Sequence, residues 1–109
     1  MEKDEIYTNV QRLRNENEDF NNLILEIDCK IQYLKGLVYT KNLSDSNFHP
    51  TVKINIKVKA IMLSQKDKDL LLSYLYYEYF NLNYNNGKRV KFSIKKCFSR
   101  KEFRITTHR

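Results

Sequence analysis

Apolar residues in the first third of the chain recur in alternating steps of four and three: Ile6, Val10, Leu13, then Phe20, Ile24, Ile27, Ile31, Leu34 and Val38, with Asn17 taking the one polar place in register. Written as heptads, Val10, Asn17, Ile24, Ile31 and Val38 fall at a, and Ile6, Leu13, Phe20, Ile27 and Leu34 at d. A pattern of this length without proline predicts one helix over roughly residues 6–38, about 50 Å long at 1.5 Å per residue. β-branched residues at a, and a single Asn at a to pair with its twin, favour a parallel two-stranded coiled coil. The expected dimer seam is therefore Val10, Leu13, Asn17, Phe20, Ile24, Ile27, Ile31 and Leu34. The alternative is an amphipathic helix packed on the chain's own second half. Leu23 and Leu37 widen the stripe beyond a strict seam, and the e and g positions show no consistent charge pairing. Gly36 weakens the last turns, so the helical region is expected to span residues 1–39 and to be followed by a polar linker, residues 40–50, closed by Pro50.

The second half changes period. In "TVKINIKVKA" Val52, Ile54, Ile56 and Val58 alternate with Lys53, Asn55, Lys57 and Lys59, the pattern of a half-buried strand. Ser64 followed by Asp67 supplies an N-cap and an acidic third position, predicting a helix from about residue 65. That helix, "KDKDLLLSYLYYEYFNLNY", is apolar or aromatic nearly all round, so it must be covered on more than one side: by the N-terminal helix, a dimer mate or an external partner. Asp67 and Asp69 are first-turn residues that complement the helix dipole. Beyond "NNG", with Gly87 as the expected stop or turn, Val90, Phe92 and Ile94 alternate with Arg89, Lys91, Ser93 and Lys95, and "EFRITT" turns Phe103 and Ile105 inward and Arg104 and Thr106 outward. The predicted fold class is α+β: a long N-terminal helix followed, over residues 51–109, by a β-α-β-β unit whose helix lies on an antiparallel or mixed sheet.

Charge adds a division that the pattern alone does not give. Residues 1–45 carry 6 Lys and Arg against 9 Asp and Glu, and residues 46–109 carry 14 against 4, which gives nets of −3 and +10 within the overall +7. The polar faces of the three strands collect Lys53, Lys57, Lys59, Arg89, Lys91, Lys95 and Arg104, and the turn between the last two adds Lys96, Arg100 and Lys101. A single-sign field of this size attracts polyanions by neutralising phosphates and releasing counterions. These residues are the candidate nucleic-acid-binding set, for DNA or RNA, through backbone contact with low sequence specificity. The aromatics fall on the inward parity, so no base-stacking platform is expected. Outward lysines also keep strand edges from aggregating, which is the plainer reading of the same pattern.

The remaining chemistry is sparse. His49 and His108 each stand alone, the two cysteines, Cys29 and Cys97, lack metal-site or redox spacing, and no glycine-rich phosphate loop occurs. No catalytic residue, metal or cofactor is therefore expected. The acidic start and the lack of any long apolar run predict no membrane partner and a reducing, cytoplasmic location, with both cysteines as free thiols. These features suit a non-enzymatic homodimeric nucleic-acid-binding accessory protein, of the kind a phage or mobile element encodes. The competing expectation is an inhibitor or assembly adaptor that grips a protein or ribonucleoprotein through the Tyr-rich helix or the coiled coil.

Overall fold

The structure is a computed structural model, and it describes residues 2–42, 53–79, 84, 85, 88, 89, 91–97, 99 and 101–108. The elements in chain order are helix α1 (Lys3–Glu16), helix α2 (Glu18–Asn42), strand β1 (Asn55–Lys59), helix α3 (Gln65–Glu78), strands β2 (Tyr84–Asn85) and β3 (Lys88–Arg89), and strands β4 (Lys91–Lys96) and β5 (Glu102–His108). The class is α+β, as the change of hydrophobic period predicts. β1, β5 and β4 form an antiparallel sheet in that order, with β5 in the centre, and β2 pairs with β3 in a separate two-stranded ribbon.

The helix expected to run unbroken over residues 6–38 is two helices. Asn17 is extended, with φ −134° and ψ 104°, and it serves both ends at the break. Its N–H donates to the Leu13 carbonyl at 2.9 Å, closing α1. Its Oδ1 accepts the Phe20 N–H at 3.1 Å, the contact of an N-cap with the third residue of a helix, and so opens α2. Glu18 and Asp19 complete a favourable first turn for α2. Arg14 Nε reaches back across the break to Asn21 Oδ1 at 2.7 Å. An Asn side chain competes well for backbone donors, so a residue that suits a coiled-coil a position also suits a helix junction.

The stripe that looked like a dimer seam is core within one chain. Val10, Phe20, Ile24, Ile27 and Ile31 are buried together with Ile6 and Leu23, and Leu13 and Leu34 pack against the same cluster half-buried. Phe20 and Ile31 are 0% exposed without any second chain. α1 lies against α2 and α3, α2 against β1, and α3 against β4. The chain thus follows the alternative arrangement, the amphipathic stripe packed on its own second half. Burial of apolar area is satisfied equally well by a partner helix or by the chain's own sheet, and here the break at Asn17 lets the sheet win.

The sheet gives its apolar face to this core. Ile56 and Val58 of β1, Phe92 and Ile94 of β4, and Phe103 and Ile105 of β5 are buried, as the alternation predicts. Ile54, just before β1, is also buried, and its carbonyl accepts the Thr107 N–H at 3.0 Å, so pairing runs one residue past the strand. Thr107, the one buried polar residue among those described, is satisfied: its Oγ1 accepts the Ile54 N–H at 3.1 Å. Ser64 caps α3 as expected, accepting the Asp67 N–H at 3.1 Å. α3 ends at Glu78, earlier than the apolar run suggested. Leu71 and Leu75 face the core, and the all-round apolar character is met by α1 on one side and β4 on another. α2 runs to Asn42, so the first three residues of the linker expected over 40–50 are helical; the rest of that linker, Val52, Phe80, Gly87 and Val90 lie outside the described residues.

Candidate functional site

The outer face of the three-stranded sheet is built by strand parity, since every side chain opposite in parity to the core set points to solvent. Register then lines these residues up across the strands. Lys57, Arg104 and Lys95 form one row, because Arg104 is the partner of Lys57 on β1 and of Lys95 on β4. Asn55, Thr106 and Ser93 form the next. Beyond it His108 is opposite Lys91, and Lys53, one residue before Ile54, extends that row on the β1 side. Adjacent rows are about 6.8 Å apart and adjacent strands about 4.8 Å. Lys53, Lys57, Lys91, Lys95, Arg104 and His108 are all exposed. The face therefore carries two cationic rows with an uncharged hydrogen-bonding row between them.

The sequence-predicted cations are gathered unevenly. Lys53, Lys57, Lys91, Lys95 and Arg104 share the face, and Lys59 stands at its end. Glu102, with the same outward parity, is the partner of Lys59, so the face is not free of acid as alternation had implied. Lys101 is exposed in the turn before β5. Arg89 belongs to β3, off the three-stranded sheet, and Arg100 lies outside the described residues.

His108 does not stand alone. Its Nε2 is 2.5 Å from Ser93 Oγ and 3.0 Å from Thr106 Oγ1, and the two hydroxyls are 2.9 Å apart. Two hydroxyls that can each donate and accept, and a ring nitrogen that does one or the other according to its tautomer, are thus closed into a triangle at the middle of the basic face. The signal was present in the outward parity of Ser93 and Thr106, but the β4–β5 register is needed to bring His108 beside them.

The flank of the face is finished by α2. On β1, Ile54 and Ala60 bond towards β5, so the backbone groups of Lys57 and Lys59 point to the open edge. Glu26 Oε1 accepts the Lys59 N–H at 2.7 Å, and Lys30 Nζ donates to the Lys57 carbonyl. Glu26 and Lys30 are one turn apart and 3.9 Å from each other. Their side chains stand in for a fourth strand along part of this edge.

No group of His, Cys, Asp or Glu among the described residues is arranged to hold a metal ion. Cys29 and Cys97 are free thiols. No helix of the described residues is long and apolar enough to cross a membrane. Comparison with protein-family models, with curated proteins and with solved structures returns no match.

Proposed function

We propose that this protein is a non-enzymatic nucleic-acid-binding protein that grips the phosphate backbone with the outer face of its sheet. The observation that carries this reading is the row Lys57–Arg104–Lys95, three cations on three adjacent strands, reinforced by Lys91 and Lys53 two rows away. Cations on neighbouring strands about 4.8 Å apart repel one another unless an anion bridges them. Arg in the central position can donate two parallel hydrogen bonds to one phosphate while the flanking lysines act as point charges. The outward side chains of these rows include no Phe, Tyr or Trp, and the one ring, the His108 imidazole, is tied to Ser93 and Thr106, which favours backbone contact over base stacking.

Each chain carries a whole face, so binding does not require the parallel dimer that the heptads suggested. The competing reading, an inhibitor or assembly adaptor that grips a protein or ribonucleoprotein through the Tyr-rich helix or the coiled coil, has less surface to draw on: Leu71, Leu75 and Tyr79 are buried, and Tyr74, Tyr76 and Tyr77 pack half-buried against the core.

The test is binding of generic duplex to the whole protein across salt. With about five phosphates neutralised, affinity should fall about 10²- to 10³-fold between roughly 50 and 200 mM salt. Lys57→Glu combined with Lys95→Glu should weaken binding at every sequence and lower the salt slope by about 2. Salt-independent binding, or none, would overturn the reading.

A further inference from the structure

The uncharged row between the two cationic rows gives the face more information than phosphate attraction needs. Building on the proposed backbone contact, we infer that the ligand is double-stranded RNA, with the Asn55–Thr106–Ser93 row and His108 recognising ribose 2′-hydroxyls across the minor groove.

The argument rests on reach. Asn55, Thr106 and Ser93 are short side chains on a sheet face, and they extend only a few ångströms beyond it. On B-form DNA a face of this kind rests on the groove rims, while the base edges lie roughly 8.5 Å down in the major groove and 7.5 Å in the minor. The uncharged row would then touch nothing. An A-form duplex has a wide, shallow minor groove with 2′-hydroxyls at its surface, where short side chains meet them. The two cationic rows are four residues apart along the strands, about 13–14 Å, and so flank such a groove on both sides while the uncharged row lies over it.

The chemistry matches as well. A 2′-hydroxyl both donates and accepts, as do Ser93, Thr106 and the imidazole of His108. In the triangle they form, at 2.5, 2.9 and 3.0 Å, the three mutual contacts do not use up every proton and lone pair of the two hydroxyls, so a donor or acceptor position stays open to a ligand. The mutual bonds hold the side chains in place before the ligand arrives, which lowers the ordering cost of binding.

The experiment leaves the protein unaltered and changes the ligand. Fluorescence anisotropy is measured with matched duplexes of about 20 base pairs: RNA, DNA, and 2′-fluoro RNA, which stays A-form but cannot donate from the 2′ position. Duplex RNA should bind about tenfold tighter than DNA, the worth of one to two net hydrogen bonds, and the 2′-fluoro duplex should lose most of that advantage. Ser93→Ala with Thr106→Val should reduce RNA binding and leave DNA binding unchanged. Equal, salt-sensitive binding of all three duplexes overturns this inference and leaves the backbone-binding reading standing. A 2′-fluoro duplex that binds as well as RNA also overturns it, since shape alone would then account for the preference. Absence of binding to any duplex overturns both.

Discussion

Asn17 occupies a place that a heptad repeat reserves for a buried residue, and its amide caps a helix there. The two roles predict opposite outcomes for Asn17→Leu. In a two-stranded coiled coil the change strengthens the seam while loosening register and strand number. In this fold it removes the acceptor for the Phe20 N–H and asks an extended residue to bury a leucine, so urea unfolding should show a loss of about 1 kcal/mol. Periodicity could not separate these cases, because Ile24 and Ile31 alternate identically whether another chain or β1 covers them. Ser64 was legible for the opposite reason. Its capping bond to Asp67 is local, and local hydrogen bonding is written in adjacent residues.

At the scale of elements, tyrosines tie the helices together more than they form a surface. Tyr79 O–H, at the end of α3, donates to Asp28 Oδ1 of α2 at 2.5 Å. Tyr7 of α1 donates to Glu78 Oε2 of α3 at 2.7 Å and meets the Tyr74 ring edge-on at 5.4 Å. Burial first, then the bond to Asp28, pushes the Tyr79 hydroxyl well above its ordinary value. Burial, then Glu78, does the same for Tyr7. An unfolded tyrosine loses its proton near pH 10, so above that the unfolded chain binds fewer protons than the folded one. The stability these groups contribute is complete below about pH 10 and is lost as pH rises beyond it. Tyr79→Phe should cost about 1 kcal/mol at neutral pH and make the alkaline decline shallower in a series of denaturant titrations. A second element-level device is the edge cover on β1. Glu26→Ala with Lys30→Ala leaves the Lys59 N–H and the Lys57 carbonyl without their partners, and light scattering should show concentration-dependent association through the opened edge. Nothing in the sequence pattern announced this pair, since which turn of a helix meets a strand edge depends on tertiary placement.

For the whole molecule, the strand faces and the charge division were readable in advance, while the partner of the N-terminal stripe was not. Alternation placed Ile56, Val58, Phe92, Ile94, Phe103 and Ile105 in the core and the lysines outside, because period two has one solution once a face is buried. The strand order β1-β5-β4, and with it the rows Lys57–Arg104–Lys95 and Asn55–Thr106–Ser93, required register, which sequence alone leaves open. With the stripe consumed inside one chain, the free protein should have the mass of a single chain by light scattering. Ile31→Asp should yield an unfolded chain and not a folded monomer released from a dimer, since an unpaired charge replaces a 0% exposed side chain. The central position of β5 also sets an order of events during synthesis. β1 and β4 do not pair with each other, so neither finds a neighbour until residues 102–108 have been made. At about 5–20 residues per second, β1 waits roughly 2–9 s between its own emergence and that of its partner. The outward rows are aligned only through β5, so the basic face comes into being when β5 takes its place between its two neighbours.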